Sequence, residues 1–318
     1  MTTWVPLPPR LDGFLFALPA LAALARSGRT LAVDVPPGLD PLAELAGVSV
    51  ATAPVAGADE AVLLAGGPSG LAAAWRAGAA GIPRRWGYGG LVSSLFLTHP
   101  VPRPSRASRR GRHAAQDARE LLAAMEVAPP PSWTPRLEPT EALRQAGLER
   151  LRRAHLDPDG ETLAGLIPAG FVGGGRGRPP SRKHVWPWPR YVELAQRLRR
   201  ERPRVRLVLL AGREDLWPAV RIHEETARHH PLVGPDLEPA GLLGVLPHLS
   251  FVLGADSDLL QLAAAAGRPT VALFGPSPPD RRAPRGAQHR RLVAPGRDLR
   301  RLPVEPVLEA CLQTAGGR

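Results

Sequence analysis

The chain has 318 residues, 44% hydrophobic and 22% charged, which is long enough for two domains of roughly 150 residues each and excludes disorder of the whole. A net charge of +12 and a pI near 11.3 point to an anionic partner without choosing among a nucleotide diphosphate, an acidic glycolipid surface and nucleic acid. The single cysteine, Cys311, excludes disulfide frameworks and cysteine metal sites and fits a reducing cytoplasm; the nine histidines are scattered, so neither a metal nor another cofactor is expected.

In chain order, the first feature is the apolar stretch Phe14 to Ala25, whose composition resembles a signal-peptide core. It has no basic flank beyond Arg10, however, and it runs through Arg26-Ser27-Gly28-Arg29 into the strand-like Leu31 to Val35, as a helix-to-strand unit does. No apolar run reaches the roughly 18 residues needed to span a bilayer, so a soluble or only peripherally bound protein is expected. The segments Leu31–Val35, Leu42–Ala46, Val48–Ala51, Ala61–Leu64 and Leu71–Ala79 then alternate β-type and helical patterns, the signature of a parallel α/β sheet. Arg103 to Arg112 holds five arginines and no acid, which reads either as a docking loop for phosphorylated glycolipid or membrane, or as a solvated basic loop. A helix is predicted from His113 to about Glu126, and Pro129-Pro130-Pro131 marks a linker.

A second α/β series follows, with strands at Leu163–Ile167, Val205–Leu210, Phe251–Leu253 and Val271–Phe274 and helices at Tyr191–Arg200, Leu259–Ala266 and Val304–Thr314. The expected division is residues 1–135, a linker and helix at 136–161, and residues 162–318. In such halves a ligand sits at the carboxyl ends of the strands.

The segment richest in chemistry runs from Gly254 to Pro276. A strand ends in the polar turn Asp256-Ser257-Asp258 and a small-residue helix starts at once, so backbone N–H groups, the positive helix end and the Ser257 hydroxyl make a ready diphosphate site. This stretch resembles the signature of glycosyltransferase family 9, the heptosyltransferases. Its tail, Pro269-Thr270-Val271-Ala272-Leu273-Phe274-Gly275-Pro276, matches closely, whereas Asp258 stands for a family glycine and Gln261 for a family histidine. Two further segments are similar to family patterns. Ile167-Pro168-Ala169-Gly170 leads to Lys183-His184-Val185-Trp186-Pro187, with the lysine one residue further from the tryptophan than in the family and His184 in the strict register. Pro6 to Leu24 carries Leu18-Pro19-Ala20-Leu21, with the preceding Asp12-Gly13 in exchanged order.

The resemblance implies an α/β, GT-B type protein with two facing Rossmann-like domains of parallel sheets. It implies an inverting, metal-independent transfer of a sugar, by default heptose, from a nucleotide diphosphate sugar to a lipopolysaccharide-like or other anionic glycan acceptor. Asp12 would be the general base, although a plain helix N-cap is an equal reading of that residue. Lys183 would stabilise the departing diphosphate. Donor contacts would come from Pro168, Ala169, Gly170, His184, Asp256, Ser257, Asp258, Gln261 and Leu262, with Gly212 and Arg213 near the nucleotide base, and acceptor contacts from Arg84 and Arg85. The rival reading is a degenerate member that binds a nucleotide sugar or a partner protein without catalysis. Specific nucleic-acid binding is not expected, because neither an aromatic-rich RNA motif nor a helix-turn-helix pattern is present.

Overall fold

The polypeptide begins with a strand that its short Thr-Thr-Trp-Val-Pro sequence hardly advertises. In the computed structural model, which describes residues 1–315 apart from 52, 66, 106, 169–180, 212–215, 235 and 236, β1 (Thr2–Pro6) lies at the centre of the first sheet. Trp4 and Val5 on it are fully buried. It is followed by α1 (Leu11–Arg26), β2 (Thr30–Asp34), α2 (Asp40–Leu45), β3 (Ser49–Val50), β4 (Glu60–Leu63), α3 (Gly67–Ala79), β5 (Arg84–Tyr88), β6 (His99–Val101) and α4 (Arg119–Ala124). The strands pair in parallel in the order β3-β2-β1-β4-β5-β6. A buried polar contact fixes the base of this sheet: Thr3 Oγ1 donates to Glu60 Oε1 at 2.8 Å, and the Arg29 guanidinium pairs with the same carboxylate.

The expected helix from His113 to Glu126 is in fact broken. Residues Ala114–Ala118 form a 3₁₀ turn capped by His113, and only then does α4 begin. The Asp117 carbonyl accepts a hydrogen bond from the Tyr88 hydroxyl, which takes it out of a regular α-helical ladder.

The second compact unit, Leu137–Arg318, opens with α5 (Glu141–Arg153). It continues through β7 (Thr162–Ile167), α6 (Trp188–Glu201), β8 (Val205–Leu210), α7 (Leu216–Glu225), β9 (Leu232–Val233), α8 (Pro239–Val245), β10 (Phe251–Ala255), α9 (Asp258–Ala265), β11 (Thr270–Phe274), α10 (Pro279–Arg282), β12 (Arg290–Val293) and α11 (Val304–Ala315). Its parallel strand order is β12-β11-β10-β7-β8-β9, the same doubly wound pattern as the first unit, Met1–Arg136. Strands β10 and β11 are wholly buried and apolar apart from Thr270 at the start of β11, as parallel strands sandwiched between helices must be. A Cβ on Gly254 of β10 would meet Ile167 Cβ at 2.9 Å, so glycine there lets the ends of β7 and β10 close together. The helices α5 and α8 touch backbone to backbone: a Cβ at Gly147 would lie 2.1 Å from the Gly244 carbonyl oxygen, and one at Gly244 would lie 2.2 Å from that of Leu143. That crossing fastens α5 to the second unit.

Candidate active site

At the carboxyl edge of the second sheet, β10 ends at Ala255 and is followed by Asp256 and Ser257. Ser257 is extended (φ −149°, ψ 164°) and is the N-cap of α9, its hydroxyl accepting from the Leu260 N–H at 3.3 Å. Asp256 is buried. One carboxylate oxygen pairs with the Arg282 guanidinium from α10, and the other accepts from Gln261 Nε2 at 3.1 Å. The same Gln261 amide donates to the Arg282 carbonyl at 2.8 Å, closing a three-residue network across β10, α9 and α10. A buried carboxylate is tolerable only with such partners, and the network fixes the backbone of the turn that starts α9. Asp258 adds a carboxylate in the first turn of α9.

Lys183 reaches this edge by a different route. Trp186 is fully buried, stacks edge-on against Tyr191 (4.5 Å, 85°) and donates through its indole N–H to the Leu302 carbonyl at 2.9 Å. Anchored by that ring, the 3₁₀ turn Arg182–His184 is laid against the end of β11: a Cβ on Gly275 would sit 2.4 Å from the Lys183 carbonyl oxygen. The Lys183 side chain is exposed and near Asp298. Asp298 is held down to about 2, first by its hydrogen bonds from Arg300 and further by the nearby Lys183 charge. His184 is half-buried, with Nδ1 buried and lacking a hydrogen-bond partner among the described residues. Pro168, just after β7, is buried, and Leu262 packs its side chain into the interior of α9's buried face. Ala169, Gly170, Gly212 and Arg213 lie outside the described residues.

In the first unit, the corresponding strand ends border a cavity of about 250 Å³, lined among others by Pro8, Gly13, Phe16, Ala65, Ser69 and Asp117. Gly13 is required there, since a Cβ would meet that of Pro8 at 2.7 Å. Asp12 is not a helix cap: the N-cap of α1 is Arg10, and Asp12 lies in the first turn, buried, accepting from Arg10 Nε and a terminal nitrogen at 2.9 Å each. The two arginines expected at the acceptor are placed elsewhere. Both start β5, at the amino edge of the sheet, where Arg84 is opposite Glu60. Arg85 donates from its guanidinium to the Phe96 carbonyl (2.7 Å) and to the Ile82 carbonyl, so it is committed to backbone groups beside β5.

The glycosyltransferase family 9 (heptosyltransferase) model matches residues 60–299, three-quarters of the chain. The chain belongs to glycosyltransferase family 9. It is 30% identical over 216 residues to lipopolysaccharide heptosyltransferase 1 of Pseudomonas aeruginosa, a match covering 60% of this chain and 53% of that one, so it spans about half the length of this curated relative. Three solved structures share the fold. The family 9 glycosyl transferase of Veillonella parvula has a TM-score of 0.82 at 17% identity, covering 99% of this chain and 97% of the other. ADP-heptose LPS heptosyltransferase II of E. coli has a TM-score of 0.78 at 21% identity (99% and 98%). The E. coli heptosyltransferase WaaC with ADP has a TM-score of 0.74 at 20% identity (99% and 100%). The fold is thus α/β, with the two Rossmann-like parallel sheets of the GT-B type.

For this family 9 member, motif reading missed two features. One is Arg282, the cation that holds Asp256; its only sequence signal is the Pro279-Asp280-Arg281-Arg282 turn directly after the recognised tail. The other is an aromatic surface at the start of α6 and α7, where Trp188 meets Trp217 edge-on (6.4 Å, 89°), Arg221 lies over Trp188 at 5.3 Å and Trp217 is 63% exposed. Trp217 follows in sequence the segment where the nucleotide base is expected, and the Pro-Trp-Pro and Leu-Trp-Pro sequences are the signal that could have shown this surface. Among the described residues no group of three or more His, Cys, Asp or Glu could hold a metal ion, and no helix is long and apolar enough to cross a membrane.

Proposed function

We propose that this protein transfers a sugar of the heptose class from a nucleoside diphosphate sugar to a glycan acceptor of the lipopolysaccharide type, with inversion at the anomeric carbon and without a metal ion. The observation that carries the reading is the convergence, at one sheet edge, of the amino end of α9, the buried Asp256–Gln261–Arg282 network and the Lys183 turn pinned against Gly275. A helix amino end beside an exposed ammonium group is suited to a diphosphate, and neither needs to reorganise as charge develops on the leaving group. Family membership supports the reaction class. The relatives' names supply the substrates: one E. coli relative was solved with ADP and again with ADP-2-deoxy-2-fluoro heptose.

In the proposed step an acceptor hydroxyl oxygen bonds to the donor's anomeric carbon as the bond from that carbon to the diphosphate oxygen breaks. The hydroxyl proton passes to Asp12, and the nucleoside diphosphate leaves with its charge facing Lys183. The cavity beside Gly13 in the first unit would receive the acceptor. We further infer a division of labour matching residues 1–135 and 162–318, with the intervening segment carried by the donor half, and a cytoplasmic protein that works peripherally at the inner face of the membrane. Two observations favour the rival, a nucleotide-sugar binder without turnover: Asp12 is already paired with Arg10, and Asp258 brings negative charge to the helix end that should bind an anion.

The deciding experiment is Lys183→Ala, assayed with ADP-heptose and measured for ADP affinity by calorimetry. Turnover should fall about a hundredfold while ADP affinity changes far less, the mark of an interaction made mainly in the transition state. Lys183→Arg should stay impaired, since a planar fork does not replace a point charge. Unchanged transfer in both variants overturns the assignment of Lys183, and absence of transfer by the native protein in spite of ADP binding establishes the binder.

A further inference from the structure

The first unit exposes an apolar loop that its own fold does not use. After β5 the chain turns through Gly89-Gly90-Leu91-Val92 into the 3₁₀ turn Ser93–Leu95, leaving Leu91 fully exposed, Leu95 77% exposed and Val92 52% exposed. These are three of the seven large hydrophobic side chains that stand out in solvent among the described residues. Single exposed leucines are ordinary, but three within five residues on one protruding turn are not.

The neighbouring strand supplies the other half. β5 and β6 run parallel with Tyr88 opposite Val101, and the Gly89 N–H donates to the Val101 carbonyl at 2.9 Å. The apolar turn and the segment after β6 therefore leave the same sheet edge side by side. That second segment is the arginine run of residues 103–112. Its turn is organised by Ser105, which accepts from the Ser108 N–H and hydroxyl at 3.0 Å each, and Arg103 and Arg110 are exposed on it. The rest of the first unit has eight arginines against nine acids, so its positive charge is concentrated in these ten residues.

We propose that residues 90–95 together with the exposed Arg103 and Arg110 form a surface that docks on an anionic lipid bilayer, with Leu91, Val92 and Leu95 entering the interfacial layer and these two arginines meeting the acidic headgroups. This rests on the reading of a membrane-borne acceptor and names the surface that meets the membrane. A bilayer suits the observations better than a protein partner. A stable protein interface needs about 800 Å² from each side with a packed centre, which three side chains on one turn do not provide. Shallow insertion and headgroup attraction instead add together, and neither requires a shaped partner.

The test is flotation of the full chain with vesicles of phosphatidylcholine alone and of phosphatidylcholine mixed with phosphatidylglycerol. The native protein should bind only the acidic vesicles, and less as salt rises. Leu91→Ser with Leu95→Ser should lower the apparent affinity about tenfold and keep the salt dependence, whereas Arg103→Ser with Arg110→Ser should lower it about tenfold and flatten that dependence. Leu95→Trp should show a blue-shifted emission on acidic vesicles only. Thermal melting should be unaltered in all three, because every substituted side chain is exposed. Failure of the native protein to bind acidic vesicles, or binding by both double variants as tight as that of the native protein, overturns the proposal. So does a lipid-free dimer that the leucine variants abolish, which would assign the turn to a second copy of the chain. ADP binding by calorimetry is read in parallel: its absence in the native protein counts against the transferase reading alone.

Discussion

The two sheets share one topology, but they treat their carboxyl edges differently. In the second unit the polar groups at that edge are committed to one another: Asp256 to Arg282 and Gln261, Asp298 to Arg300, Ser257 to its own helix. In the first unit the edge opens into a cavity of about 250 Å³, and its nearest buried carboxylate, Asp12, is tied to a residue only two positions away. The difference teaches which side is preorganised. The second edge has its polar groups already paired and fixed, whereas the first keeps space and settles its charge locally.

The comparison breaks most visibly at Asp256. Asp256→Ala should destabilise the second unit by about 3–5 kcal/mol, because it leaves the largely buried Arg282 guanidinium without its carboxylate. Chemical denaturation followed by intrinsic fluorescence would show an early transition. A loss below about 1 kcal/mol would mean the network is not the framework of the site. Next in size is Asp12→Asn, for which transfer should drop about a hundredfold with ADP affinity retained. A fall in melting temperature with unchanged transfer would instead make the Arg10–Asp12 pair purely structural.

Acid should distinguish the two units as well. Burial pushes His230 down to about 3 and His289 down to about 4, both in the second unit. The unfolded chain binds these protons near 6.5 and the folded unit does not, so this stabilisation is complete above that pH and drains as pH falls toward 4. Asp298, held down to about 2, keeps its contribution until pH falls below its ordinary value of 3.8. Thermal melts between pH 7 and 4 should therefore lower the second unit's transition, and His230→Leu should weaken that dependence. The smallest effect expected is that of Ser257→Ala, about 1 kcal/mol from a lost N-cap bond.

How much of this was legible depended on the range of the interactions. The run from Gly254 to Phe274 could be read because its strands are uniformly apolar and its small-residue helix follows at once, so pattern and structure coincide. β1 could not, since Thr-Thr-Trp-Val-Pro is short and abuts a far more apolar helix. The site divides in the same way. The turn Asp256-Ser257-Asp258 is local and stood out, but its cation comes from 26 residues downstream, and the approach of Lys183 to Asp298 spans more than a hundred. For Arg85, the recipients of the guanidinium are carbonyl groups, which every residue carries and no residue name reveals.

The backbone contact between Gly147 and Gly244 has a practical corollary for dissecting the protein. A fragment begun at Thr162, where the second series of strands starts, would strip α8 of the helix it is seated on and bare the apolar side chains that α5 covers. A fragment begun at Leu137 would keep that bracket, so the second unit could be studied on its own with its helix contacts intact.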